Sequence, residues 1–156
     1  MEWMYREFEQ LTGREVYEML RLRIDVFVVE QNCAYHEVDG YDYDSIHVFC
    51  TDAKGLAAYA RLLPAGVKYE EASIGRVIVR PDKRGTGLAH TLMEQSVRYI
   101  NTQWQPAKIR LQAQSHLARF YGKHGFEIVS DPYEDDGIPH VDMILVNSKR
   151  QVSKAE

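Results

Sequence analysis

The stretch Val77-Ile78-Val79-Arg80-Pro81-Asp82-Lys83-Arg84-Gly85-Thr86-Gly87-Leu88-Ala89 restricts this chain more than any other. Its apolar, β-branched beginning reads as a buried strand. Arg80-Pro81 stops it, because proline offers no donor to a sheet ladder and turns its predecessor away from helical backbone. A turn with two glycines follows, then a helix whose apolar face is Leu88, Leu92, Met93, Ser96, Val97 and Ile100. The first amides of such a helix lack intrahelical acceptors and carry the positive end of its dipole. Gly85, Thr86, Gly87, Leu88 and Ala89 therefore form a candidate anion site, to which glycine admits a phosphate closely. Arg80, Lys83 and Arg84 add full charges nearby. An ordinary turn is the alternative reading of a lone Gly-x-Gly. The stretch is neither a P-loop, since no Gly-Lys-Ser/Thr follows, nor a dinucleotide fingerprint, whose third glycine would fall at His90.

Strands and helices predicted around this stretch give a mixed α/β (α+β) sheet in the order β-α-β-β-β-α-β-α-β-β. A first strand spans 3–8. Thr12 with Glu15 then forms a capping box that opens a helix carrying Val16, Leu20, Ile24 and Phe27 at helical spacing. Residues 30–45 lose that periodicity and read as a long ordered loop or a short broken helix. Strands follow at 46–51, 56–63 and 73–79, with a hairpin turn at Asp52-Ala53-Lys54-Gly55. After the glycine-turn helix come a strand at 108–114, a short helix at 116–124 and strands at 127–130 and 141–146. The 156 residues suit one domain, 1–147, with a polar tail at 148–156.

Charge narrows the function classes. With 19 basic and 23 acidic residues the formal charge is −4, so no basic surplus points to nucleic acid. No apolar run is long enough for a bilayer, and the start resembles no signal peptide, so a cytoplasmic location with no membrane partner is expected. Cys33 and Cys50 show no metal spacing and read as inert thiols.

The glycine stretch also resembles the cofactor loop of the GNAT superfamily of acyltransferases, where Gln/Arg-x-x-Gly-x-Gly/Ala binds the diphosphate of acetyl-CoA. Here the motif falls on Asp82 to Gly87, and Asp82 departs from the preferred Gln or Arg. Phe120-Tyr121 before Gly125-Phe126 is similar to that family's later segment. Two further segments, Leu22 to Gln31 and Tyr133 to His140, resemble its ElaA-like branch.

The resemblance implies splayed central strands, with the pantetheine between 77–79 and 108–114. Backbone groups of Val77 and Val79 would then pair with its amides, and the N–H of Ile78 or Val79 would stabilise a thioester oxyanion. A purely core role for the three side chains is the alternative. Tyr121 is implied as the general acid for the departing thiolate, against a plain core tyrosine. Acetyl-CoA is the implied co-substrate and a small-molecule or peptide amine the acceptor, with a homodimer as a family-level expectation and no metal. Candidate bases are Glu30, His47 and His140, with Gln112 or Gln114 acting through water. The acidic residues Glu37, Asp39, Asp42 and Asp44 read either as a solvated loop face or as a lure for a cationic acceptor. Asp131, Glu134, Asp135 and Asp136 form a second such patch, assigned to the other wall of the acceptor cleft. A metal site from His36, Glu37, Asp39 and His47 has no supporting spacing. Arg23, at the end of the first helix, with Val26-Phe27 after it, also resembles acyl-homoserine-lactone synthases. Rival readings are thus a different acyl donor, or a CoA-binding sensor without catalysis.

Overall fold

The structure, a computed structural model, describes residues 1–147; the predicted tail at 148–156 lies outside them. β1 (Trp3–Glu7) is followed by α1 (Gly13–Ile24), β2 (Ile46–Asp52), β3 (Gly55–Leu63) and β4 (Ala72–Val79). Then come α2 (Leu88–Gln103), β5 (Lys108–Gln114), α3 (Ala118–Gly122), β6 (Glu127–Ile128), β7 (Tyr133–Asp135) and β8 (Ile138–Val146). The strands form one sheet in the order β1-β2-β3-β4-β5-β8-β6, with β7 also on β8. All pairings are antiparallel except β4 with β5. None of the described helices is long and apolar enough to cross a membrane.

Local chemistry accounts for several of these elements. Thr12 caps α1 as its sequence requires: its Oγ1 accepts from the Glu15 amide at 3.0 Å, and the Glu15 carboxylate accepts from the Thr12 amide at 2.9 Å. The β2–β3 hairpin closes through Asp52-Ala53-Lys54-Gly55, with Asp52 accepting from the Lys54 amide. The β7–β8 hairpin, which the predicted order lacks, turns on Asp136 and Gly137. Both have positive φ, +51° and +79°, the backbone that a two-residue hairpin of primed type demands.

Side-chain alternation divides the core between the two faces of the sheet. Val48, Cys50, Ala58, Ala60 and Leu62 face α2, where Leu92, Met93 and Ile100 are fully buried, each worth roughly 1.5–3 kcal/mol. Phe49, Tyr59 and Ile78 face α1 and meet Met19, Leu22 and Val26. Val16, Leu20 and Phe27 of the predicted α1 stripe pack against this cluster, and Met19, Leu22 and Val26 form its buried centre; only Ile24, 38% exposed, departs from the expectation. The fully buried side chain between them is Arg23, a charged residue that a hydrophobic period passes over. Beyond Ile24 the chain winds on as a wider π-helical segment, Asp25–Glu30, which carries the predicted helical residue Phe27 and ends where the predicted loop begins.

Candidate active site

Strands β4 and β5 pair only at Ala72 with Ile109 and Ser73 with Arg110. Beyond that point they part, while β5 stays zipped to β8 as far as Gln114 opposite His140. The splayed pair expected from the resemblance is thus present. A cleft of about 470 Å³ opens in the gap, lined among others by Val77, Ile78, Val79, Gln112 and Gln114.

A β-bulge lies just beyond the last of these pairs. Gly75 pairs with Arg61 and Ile78 with Tyr59, so Arg76 and Val77 together span the single residue Ala60. Arg76 has φ +55°, a left-handed backbone that L side chains rarely adopt. The extra residue inverts the facing of the strand. Ala72 and Ile74 lie on the α2 face before it, and Ile78 lies on the α1 face after it. The Ile78 side chain is core, as the bland reading holds, while its backbone borders the cleft.

Arg76 is held in that conformation by charge. Its Nε donates to Glu37 Oε2 at 2.6 Å and its Nη2 to Asp39 at 3.2 Å. The same Glu37 oxygen accepts from Arg23 Nε at 2.7 Å, and Arg23 Nη1 donates to Asp42 at 2.7 Å. Arg61 makes a bidentate pair with Asp39, 2.9 Å in both arms, and a further bond to Asp42 at 3.2 Å. Tyr35 donates to the other Glu37 oxygen. Burial opposes charge on Asp39, yet the Arg61 hydrogen bonds and field bring its pKa down to about 2; Arg23 lowers that of Asp42 in the same way. Neither reading of this acidic group stands. Glu37 and Asp42 are buried, and with Asp39 they neutralise three arginines instead of facing solvent or an acceptor. Asp44 is exposed and takes no part in these pairs.

The glycine loop departs from expectation in its charges. Gly85 and Gly87 have φ +79° and +86°, and a Cβ built on either meets nothing within 4 Å. Their glycine identity therefore answers to backbone conformation and to approach from outside, not to internal crowding. Gly87 begins α2, whose first internal bond runs from the Thr91 amide to the Gly87 carbonyl. The amides of Leu88 and Ala89 belong to that first turn, and Thr86 Oγ1 is spent on the Lys83 carbonyl at 2.6 Å. The nearby cations are already paired. Arg80 bonds Asp52 and Asp82, Lys83 lies 3.6 Å from Asp52, and Arg84 forms a bidentate pair with Glu30 at 2.7 and 2.9 Å. Backbone amides are left as the principal anion donors of the loop.

Of the proposed proton-transfer residues, Tyr121, His140 and Glu30 all line the cleft. Tyr121 is 7% exposed, and burial alone pushes its hydroxyl up to about 12. His140 Nδ1 lies 2.7 Å from the Ile138 carbonyl, which can only accept, so in the neutral ring Nδ1 carries the proton and Nε2 the lone pair. Its ring stacks on Tyr133 at 6.1 Å. The Arg84 hydrogen bonds lower the pKa of Glu30, which weakens it as a base. His47 lies in the core with 0% exposure: Nε2 donates to the Asp42 carbonyl and Nδ1 takes the Tyr59 hydroxyl proton. Burial also lowers its pKa, and it touches no part of the cleft. In the second acidic patch Asp135 and Asp136 reach the cleft, whereas Asp131 and Glu134 do not line it.

The sequence reading missed the bulge at Arg76, for which Gly75, an isolated glycine inside a strand pattern, was the local signal. It also missed Lys68 and Tyr69 of the β3–β4 loop, which line the same cleft. The hairpin that brings Asp135 and Asp136 to the cleft was signalled by Asp136-Gly137.

Comparison with known proteins agrees with this geometry. A family described as "Acetyltransferase (GNAT) domain" matches residues 15–146. Protein ElaA of Escherichia coli is 39% identical over 145 residues, 92% of this chain and 95% of that protein. The crystal structure of Escherichia coli ElaA superposes with a TM-score of 0.87 at 38% identity, covering 93% of this chain and 99% of that one. An acyl-CoA N-acyltransferase from Pseudomonas aeruginosa gives 0.88 at 38% identity, covering 94% and 100%.

Proposed function

The chain belongs to the GNAT acetyltransferase family, and from that premise we propose that it transfers an acetyl group from acetyl-CoA directly to a primary amine of a small molecule or peptide. The observation that carries this reading is the bulged, splayed β4–β5 pair, which leaves main-chain groups of 77–79 facing a cleft instead of a neighbouring strand. The co-substrate supplies an activated acyl group as a thioester. The chain's own residues supply position and protons.

Backbone groups of Val77 and Val79 pair with an extended ligand as a strand would. The N–H of Ile78 or Val79 is the donor for charge developing on a carbonyl oxygen. Amides of Gly85, Thr86, Gly87, Leu88 and Ala89 take the diphosphate at the positive end of α2, with Arg84 able to turn towards it by releasing Glu30. Tyr121, with its pKa near 12, keeps its proton at neutral pH and is therefore in the form that can donate to the departing thiolate. An alkylamine with a pKa of about 10.4 must lose a proton before attack. The bare Nε2 of His140 suits that task better than Glu30, which is engaged with Arg84.

Calorimetric titration with acetyl-CoA, CoA, longer acyl-CoAs and NADH tests the cofactor assignment. Micromolar binding of the CoA species alone supports it; indifference to all of them overturns it. An amine screen read by thiol release then separates a transferase from a sensor, since a sensor gives no release above hydrolysis. The preferred acyl length in that screen decides between acetyl and a longer donor.

A further inference from the structure

One cation in the cleft remains outside the ion-pair network. Arg61, Arg76 and Arg84 also line the cleft, and each is held by a carboxylate. Lys68, half-buried in the β3–β4 loop, forms no ion pair and no hydrogen bond through its ammonium among the described residues. Asp39 and Asp135 act on it only at longer range. Its Nζ lies over two rings instead, 5.4 Å from the centroids of both Tyr41 and Tyr69. Aromatic faces attract a cation but do not accept its three N–H bonds as a carboxylate oxygen does. Burial, together with the fields of Arg61 and Arg76, lowers the Lys68 pKa. Arg61 Nε is likewise buried without an acceptor. The Asp135–Asp136 turn on another wall of the cleft sets an upper limit on the charge that fits. A singly charged anion relieves Lys68, whereas a doubly charged one meets those carboxylates.

We propose that Lys68, framed by Tyr41 and Tyr69, binds a carboxylate carried by the amine acceptor, so that the acceptor class is an aminocarboxylate and not a simple amine or polyamine. This rests on the transferase reading above and narrows its acceptor. Lys68 is a specificity residue here, since it holds the far end of the acceptor away from the reacting nitrogen.

The test uses ω-aminocarboxylates of three to six carbons, each beside its primary carboxamide, so that the amine is matched and the charge is not. At the best chain length the carboxylate is expected to have at least a tenfold higher kcat/KM. Lys68→Met should remove that preference through a KM increase confined to the carboxylate, and Lys68→Arg should restore most of it. Equal kcat/KM for both members at every length, or a Lys68→Met loss shared equally by acid and amide, overturns the proposal. If acetyl-CoA binds but no amine is acetylated, the transferase reading fails, and titration of the CoA-saturated protein with the same acids and amides decides the anion site. Carboxylate binding that disappears in Lys68→Met supports it. Binding that survives the substitution, or is absent from the wild type, overturns it.

Discussion

Replacing Arg23 by methionine tests whether charge inside the fold holds the cleft in shape. Arg23 is fully buried and makes three bonds: to Glu37 Oε2 at 2.7 Å, to Asp42 Oδ1 at 2.7 Å and to the Glu37 carbonyl at 3.2 Å. Methionine keeps most of the stem, so the cavity contribution is small and the loss is electrostatic. With Arg23 the buried set is balanced, three arginines against Glu37, Asp39 and Asp42. Without it one negative charge is in excess. Removing one partner of a buried pair costs roughly 3–5 kcal/mol. Glu37 keeps Arg76 and Asp42 keeps Arg61, which places the expected loss at the lower end, about 3 kcal/mol. For a chain of this size that is a fall in Tm of roughly 6–12 °C, since each kcal/mol moves it by about 2–4 °C. Urea titration should show a lower midpoint at an unchanged slope. Adding Asp42→Asn restores the balance, so the double variant should recover about 1–3 kcal/mol relative to the sum of the two singles. A loss below about 1 kcal/mol for Arg23→Met, or strict additivity of the pair, would refute the argument that these charges are mutually supporting.

Three other outcomes are expected. Tyr121→Phe should lower kcat by roughly 10²–10³ while acetyl-CoA binds as in the wild type by calorimetry; full turnover in the variant removes Tyr121 from proton transfer. Gly87→Val forces a β-branched residue to φ +86°, at a strain of roughly 1–3 kcal/mol, and should raise the acetyl-CoA KM at least tenfold with the far-ultraviolet spectrum retained. Unchanged cofactor affinity there would sink the loop assignment. Because folding lowers the pKa of Asp39 from 3.8 to about 2 and that of Asp42 in the same direction, their stabilisation is complete above about pH 4 and drains away as the pH falls towards 2. Chemical denaturation across that window should show a decline that Asp39→Asn flattens.

What could be read from the chain alone follows how local each cause is. The Thr12–Glu15 capping box and the glycine turn are written in neighbouring residues, and both appear where the sequence puts them. Strand β5 matches its predicted bounds, since its ends are marked locally by Pro106 and by the start of the next turn at Ser115. The buried face of α1 was legible at Val16, Leu20 and Phe27, but the burial of Arg23 at a core position beside it was not. Its burial depends on carboxylates 14 and 19 residues further along, a relation that periodicity does not carry. For the same reason Glu37, Asp39 and Asp42 read as surface while serving arginines on α1, β3 and β4. Tyr121 was singled out only through resemblance, because a buried tyrosine and a catalytic one look alike in sequence. Lys68 left no trace at all, since its meaning lies in the partners it lacks.

The parting of β4 and β5 also bears on self-association. A row of main-chain donors and acceptors without a neighbouring strand is a template on which foreign β-structure can grow, a hazard usually confined to the rim of a sheet. Here that row lies in the middle of the fold. The bulge at Arg76 breaks its regular spacing, and the gap narrows to a closed apex at Ser73 and Arg110. A regular peptide ribbon pairs poorly with such a kinked, tapering seam, whereas a thin flexible chain with only a few amides can follow it. The irregularity that makes room for a slender guest therefore also discourages the protein from aggregating with itself.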